Sequence, residues 1–311
     1  MKDETSRFGL NAFKSVGATF AVATLITRGE IVAGTTLACA SEGNHGRAVA
    51  RAARESKCDA IVYVAESVAP ARIAAIEAEG ARVQKVAGTY DQAVRAMVDD
   101  ADRAGWMIIS DTSWPGYDQI PRLIMLGYTR IFDEVEAQLG SAPDAVFVQA
   151  GVGGLLAAAA CWADWRYGMR RPRIVAVEPA SAACVQASAR AGRPTTLPGP
   201  FDTVMGGLRC GEMSPIAFEA IHSIVDGYIA IHDDWAFDAM RRLAKPDGHD
   251  PPIRAGASGA ASLGGLLATL GDTAAVEFRT ALGLVEQSTV LAVVTEGVTD
   301  PAAYSAVLSR P

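Results

Sequence analysis

Apolar and polar positions alternate along the chain in blocks of two kinds. Short apolar runs stand at 35–40 (TTLACA), 59–65 (DAIVYVA) and 106–110 (WMIIS), and 81–86 (ARVQKV) also reads as a strand. Such runs, bounded by turn residues, predict buried strands. Between them lie segments of helical spacing at 45–55 and 90–103, and a helix opened by Pro70 and closed by Gly80. This β–α–β–α–β rhythm predicts a parallel, doubly wound unit, which binds ligands at the carboxyl ends of its strands. A long helix is predicted over 118–138. A second unit then opens with the strand 144–149 (DAVFVQ), which runs into Gly151-Val152-Gly153-Gly154 and an alanine-rich helix. Further strands are predicted at 173–177 and 290–295, and irregular surface at 190–209, where Gly, Pro and Thr crowd.

Composition narrows the function classes. The 311 residues predict about two domains, and half of them are apolar, enough for a large core. The balance of 28 basic against 35 acidic residues, net −7, makes nucleic acid and anionic membrane poor partners. The longest uncharged stretches, 145–162 and 255–271, are broken by glycines and polar residues and do not read as membrane spans. The first residues are charged, with no apolar secretory segment. Five cysteines in no CxxC pattern fit a reducing cytoplasm, and four histidines show no zinc-ligand spacing, so no metal is expected.

Four segments at strand ends or helix starts hold the candidate chemistry: 2–14 (KDETSRFGLNAFK), 41–46 (SEGNHG), 149–154 (QAGVGG) and 295–297 (TEG). The glycine loop between strand and helix makes either a phosphate cradle or a tight packing turn. It is not GxxxxGK[ST] and has no acidic ribose partner, which favours a smaller phosphorylated cofactor over ATP or NAD. Lys14, amid Leu10, Ala12 and Phe13, is either a desolvated nucleophile with a lowered pKa or a snorkelling helix lysine. Ser41 and the 41–46 backbone either hold a substrate carboxylate or cap a helix. Glu42 is a carboxylate in that same loop. His45 by itself reads as a packed histidine.

Taken together, these segments resemble the fold-type II family of pyridoxal-phosphate enzymes, the tryptophan synthase β-like group. Within it, 2–14 and 110–117 (SDTSWPGY) are similar to the ammonia-lyases that act on 2,3-diaminopropionate. Segments 177–179, 206–212 (GGLRCGE), 256–260 (GASGA) and 295–300 (TEGVTD) match in the same order, so the resemblance spans nearly the whole chain.

The resemblance implies an α/β protein of two doubly wound, three-layer αβα domains with the active site between them. The large cofactor-binding domain would be 1–32 with 130–311, and the small one 33–129. Lys14 would be the Schiff-base lysine to pyridoxal 5′-phosphate. Asn44 would bond the 3′-oxygen, Gly151, Val152, Gly153 and Gly154 the phosphate, and Thr295 the pyridine nitrogen. Ser41, Gly43 and His45 would contact a small amino-acid substrate, and Glu42 or Asp111 would take the Cα proton. The reaction implied is β-elimination of 2,3-diaminopropionate to pyruvate and two ammonia. Alternatives are a serine or threonine dehydratase, or a non-catalytic protein of the same fold. Cys184 and Cys210 match positions where the family can carry a cysteine pair, and a cytoplasmic homodimer is implied. Two departures stand out: Glu42 replaces the usual aspartate, and family members carry several dozen residues ahead of the lysine motif, which implies a shortened N-terminus.

Overall fold

The computed structural model describes residues 1–41 and 43–309. Its contacts divide into two units, one of residues 1–6 with 129–311 and one of residues 7–128.

The smaller unit is a four-stranded parallel sheet of β2 (Thr36–Ala40), β3 (Asp59–Ala65), β4 (Arg82–Val86) and β5 (Met107–Ile108) in the order β4-β3-β2-β5. Successive side chains on a strand point to opposite faces. Ala38, Ala40, Ile61 and Tyr63 therefore share a face, and α4 (Tyr90–Ala104) covers it with Ala93, Met97 and Ala101. The other face is covered by α2 (Asn44–Glu55), which offers Ala48, Val49, Ala52 and Ala53. Here α3 (Pro70–Glu77) and α1 (Lys14–Thr27) pack against α2. The helix boundaries follow local chemistry: Thr89 and Gln92 form a capping box, and Gly105 ends α4 in the left-handed conformation.

The larger unit is a five-stranded parallel sheet in the order β1-β9-β6-β7-β8, from β1 (Lys2–Asp3), β6 (Ala145–Gln149), β7 (Arg173–Pro179), β8 (Gly227–Ile231) and β9 (Val290–Val294). α10 (Ala257–Gly271) lies on one face with α9 (Asp233–Ala244), over Phe147, Val175 and Val177. α6 (Gly154–Tyr167) and α7 (Cys184–Ala191) lie against β6 and β7. α8 (Pro215–Ile221) packs on α6, α11 (Val276–Ala281) on α10, and α12 (Pro301–Leu308) on α9. The division falls within α5 (Gln119–Leu139), after Tyr128.

The doubly wound α/β reading thus describes both units, with three differences. The strand expected over 106–110 is only Met107–Ile108. β8 (GYIAI) and β1 are absent from the expected strands: β8 is a half-buried edge, and β1 is two residues held by backbone pairing to β9 and by Lys2 Nζ, 2.7 Å from Glu134 Oε2. Residues 7–32, expected with the large domain, group with the smaller unit. The apolar positions of α1 are buried against α2, and at Gly17 a Cβ would stand 2.7 Å from the Ile124 carbonyl oxygen. Among the described residues, no helix is long and apolar enough to cross a membrane.

α10 approaches the end of β9 closely enough to require glycine. A Cβ at Gly259 would lie 2.0 Å from the Glu296 carbonyl oxygen. Backbone bonds hold this approach: Gly256 N–H donates to the Glu296 carbonyl at 3.1 Å, and Thr295 N–H to the Gly259 carbonyl at 3.3 Å. Gly259→Ala should therefore destabilise the fold by at least about 1–3 kcal/mol, because rigid backbone has to move. An unchanged urea midpoint would refute this.

Candidate active site

In each sheet the winding direction reverses once, and the candidate residues sit at those reversals. In the smaller unit, chain order runs outward from β2 to β3 and β4, while β5 lies on the other side of β2. Loops leaving adjacent strands in opposite directions open a crevice there. The loop after β2 carries Ser41 and Gly43, and α2 begins with Asn44, His45 and Gly46. The loop after β5 carries Asp111.

Lys14 is the first residue of α1. Residues 8–11 lead to it through left-handed turns at Phe8 (φ 49°), Gly9 (φ 71°) and Asn11 (φ 57°). A left-handed phenylalanine is strained and needs outside support. Arg51 Nη1 donates to the Phe8 carbonyl at 3.3 Å, and Arg47 Nη1 to the Leu10 carbonyl at 2.9 Å. Both arginines pair with the buried Glu79, whose Oε2 is 2.7 Å from Arg51 Nε. Nothing in the sequence pattern singled out this clamp.

Lys14 Nζ donates to Asp111 Oδ2 at 2.5 Å. His45 Nε2–H donates to the Ile109 carbonyl at 2.8 Å, so its Nδ1 is the nitrogen turned toward Asp111 Oδ2, 3.8 Å away. Burial pushes the Asp111 carboxyl up, but His45 and Lys14 outweigh it and hold the group well below the usual carboxylate range. The Lys14 amine is thus ion-paired with Asp111. Tyr117 steadies the Asp111 loop: its hydroxyl donates to the Ile108 carbonyl and accepts from Ser110 N–H, both at 2.9 Å.

Ser41 Oγ accepts from Gly43 N–H at 3.1 Å and from Gly46 N–H at 2.9 Å. The serine thus performs the capping role, which takes two of the loop's amides out of the set expected for a carboxylate. Glu42 lies outside the described residues. His45 is buried as expected but faces a carboxylate, which the sequence did not reveal.

In the larger unit the reversal lies between β6 and β9, which are neighbours although far apart in sequence. The loop after β6 is Gly151-Val152-Gly153, with Gly153 left-handed (φ 93°) and α6 starting at Gly154. A Cβ at Gly151 would meet Cys210 Sγ at 3.0 Å, so glycine lets the 207–210 segment pack close. Thr295 directly follows β9 and is buried. Its hydroxyl accepts from Gln149 Nε2 at 2.7 Å. Gln149, the last residue of β6, was missed as an individual site candidate. The signal for it is a lone polar residue ending the otherwise apolar strand AVFVQ.

Cys184 Sγ donates to the Gly151 carbonyl at 3.6 Å, and Cys184 and Cys210 are not joined by a disulfide, contrary to the pairing the resemblance allowed. α7 begins over the buried Glu178, whose two oxygens accept from Val185 N–H (2.7 Å) and Gln186 N–H (2.8 Å). Burial pushes this carboxyl from 4.5 up to about 7, against those two donors. The native state then binds more protons than the unfolded chain between these values, so this group's contribution to stability falls as pH rises from about 4.5 to 7. Unfolding free energies across that range should show the slope, and Glu178→Gln should flatten it. Parallel curves for the two proteins would refute the assignment.

These two units, with an amine beside a carboxylate in one and a glycine loop before a helix in the other, define a fold-type II pyridoxal-phosphate enzyme. Residues 1–296 match the family model described as pyridoxal-phosphate dependent enzyme. Diaminopropionate ammonia-lyase of Escherichia coli K12 is 34% identical over 99% of this chain and 82% of its own length. The crystal structure of the E. coli enzyme with an aminoacrylate–PLP azomethine reaction intermediate superposes with a TM-score of 0.91, at 34% identity, covering 99% of this chain and 82% of that one. The same enzyme in complex with D-serine gives 0.90 at 33% identity, with the same coverage. The chain belongs to the pyridoxal-phosphate-dependent enzymes and, within them, to the diaminopropionate ammonia-lyase family.

The residues present fit that cofactor. The 151–154 backbone runs into a helix N-terminus, whose amides and dipole suit a phosphate. Lys14 supplies an amine for the aldehyde. The Thr295 hydroxyl, already accepting from Gln149, donates to no partner among the described residues and so has its own proton to offer a ring nitrogen.

Proposed function

We propose that the protein eliminates ammonia from 2,3-diaminopropionate, so that one water and one substrate give pyruvate and two ammonia. The observation that carries this is Lys14 Nζ at 2.5 Å from Asp111 Oδ2, an amine and a carboxylate that can exchange a proton directly. Bound pyridoxal phosphate supplies a conjugated electron sink for the negative charge left at Cα. Lys14 would hold the cofactor through its aldehyde, and its amine, when free, would move a proton. Asp111 takes the Cα proton. Its basicity rises when Lys14 is engaged and no longer pairs with it as a cation. The leaving β-amine has to be protonated, a role for the Lys14 amine or a second carboxylate, with Glu42 the candidate.

Gly151, Val152, Gly153 and Gly154 bind the phosphate, Asn44 the 3′-oxygen and Thr295 the ring nitrogen. Ser41, Gly43 and His45 line the place of the substrate carboxylate. Domain limits of 1–32 with 130–311, and of 33–129, are kept for the cofactor and loop-bearing parts, except that α1 groups with the latter by its packing. A cytoplasmic homodimer is the assembly and compartment that the family resemblance supports. Light scattering in solution should then give twice the 32.5 kDa chain mass.

The deciding experiment measures pyruvate and ammonia released from D- and L-2,3-diaminopropionate, serine and threonine by the cofactor-loaded protein. Two ammonia per pyruvate, with diaminopropionate giving the highest kcat/KM, is the expected result. A clear preference for serine or threonine would overturn the substrate assignment.

A further inference from the structure

Gln149 Nε2 lies within hydrogen-bond distance of four acceptors: Thr295 Oγ1 (2.7 Å) and the carbonyls of Ser258 (3.1 Å), Gly259 (3.1 Å) and Val293 (3.2 Å). Three carbonyls around one end of an amide fix which end is the NH2, because an oxygen there would face three other oxygens. Gln149 Oε1 is buried and has no partner among the described residues. An NH2 group has only two protons. The shortest contact takes one of them, and the three carbonyls, one already accepting from Ser262 Oγ at 2.8 Å, share the other.

The direction of the Gln149–Thr295 bond is therefore set. The amide can only donate, so the Thr295 oxygen accepts and its own proton is turned elsewhere. Gln149 is 4% and Thr295 3% exposed, so water does not compete freely for either group. Gln149 also ends β6 immediately before the Ala150-Gly151 turn, and Ser258 and Gly259 lie in the first turn of α10. One side chain thus ties together the ends of β6 and β9 and the start of α10.

We propose that Gln149 is a positioning residue that biases the Thr295 hydroxyl toward acting as a hydrogen-bond donor. It thereby favours a cofactor whose ring carries an unprotonated, accepting nitrogen. This rests on the reading of Thr295 as the partner of that nitrogen. The hydroxyl proton of a threonine without such a neighbour has three staggered positions. The amide excludes the one that faces Gln149, and no acceptor among the described residues holds the proton in another, so the ring nitrogen is the acceptor left for it. The ring nitrogen then accepts a neutral hydrogen bond, which keeps the electron sink moderate and suits elimination.

The test compares binding of pyridoxal phosphate with that of its 1-deaza analogue, in which C–H replaces the ring nitrogen. Dissociation constants are measured on the full chain freed of cofactor. Phosphate and lysine interactions are common to both ligands and cancel in the ratio. The wild type should prefer pyridoxal phosphate by about threefold to tenfold, the range of one neutral hydrogen bond. Thr295→Val should abolish the preference. Gln149→Met, and Gln149→Asn with its amide withdrawn by one methylene, should reduce it below about twofold.

If Thr295→Val loses the preference while both Gln149 variants keep it, the role of Gln149 is refuted and that of Thr295 stands. If Thr295→Val keeps the wild-type ratio, or the wild type shows none, the reading of Thr295 itself fails. Equal weakening of both ligands by the Gln149 variants would make the residue merely structural and overturn the proposal. A measurement that needs no variant is the 15N shift of labelled cofactor bound to the wild type. A hydrogen-bonded, unprotonated nitrogen is expected, and a protonated one refutes the inference.

Discussion

Lys14→Ala should lower kcat/KM by about 10²–10⁴-fold or more, since it removes both the amine that holds the aldehyde and a proton carrier. Borohydride reduction of the loaded wild type, followed by peptide mass analysis, should find the pyridoxyl group on Lys14, and the variant should carry none. A second effect separates this lysine from a passive one. Asp111 would lose the ammonium that is its hydrogen-bonded partner and keep the His45 ring as a neighbour. A carboxyl held below its ordinary value contributes stability that is present above about pH 4 and lost as pH falls toward the native value. The wild type should show that loss in acid. Lys14→Ala, with one cation gone, should show less of it. Retained turnover, or labelling at another lysine, would sink the assignment.

Asp111→Asn should cost about 10²–10⁴-fold in kcat/KM while changing cofactor affinity little. The asparagine oxygen can still accept from Lys14 Nζ, so the geometry persists and the proton acceptor is lost. The pH profile supplies the sharper test. His45 and Lys14 hold the Asp111 carboxyl ionised well into acid, against the pull of burial. That holds while the Lys14 amine is free. Once Lys14 holds the cofactor, the carboxyl loses its hydrogen-bonded cation and its titration moves up, so the kcat/KM profile should show an acid limb that disappears in Asp111→Asn. An acid limb unchanged in Asp111→Asn would refute the assignment. Full activity in Asp111→Asn would move the proton acceptor elsewhere, with Glu42 as the next candidate to substitute.

These predictions depend on residues that local patterning exposed to different degrees. Lys14 and the glycine loop were visible because their segments are unusual: a lysine closing an apolar run, and three glycines between a strand and a helix. Asp111 was visible only through the family resemblance of 110–117. The Glu79 clamp and Gln149 were not visible as individual site elements, since each is a single polar residue in an ordinary turn or strand. Their partners, Leu10 for Arg47 and Thr295 for Gln149, are far away in sequence. The role of Ser41 was legible in both its forms, and only the positions of the Gly43 and Gly46 amides decided for capping.

The strands β2, β3, β6, β7 and β9, the helices between them and the parallel winding followed from apolar runs and their spacing, because burial leaves a strong local signature. The half-exposed edge β4 was legible from its place between two helices, whereas the two-residue edge β1 was not, because it is held by backbone pairing that any sequence can make. Chain folding alone brought Lys14, His45 and Asp111 to one winding reversal, and the glycine loop, Gln149 and Thr295 to the other. Hydrogen bonds and ion pairs act over about 3 Å in space regardless of separation along the chain. The composition of a segment therefore records which groups are available, and only the folded backbone determines which of them meet.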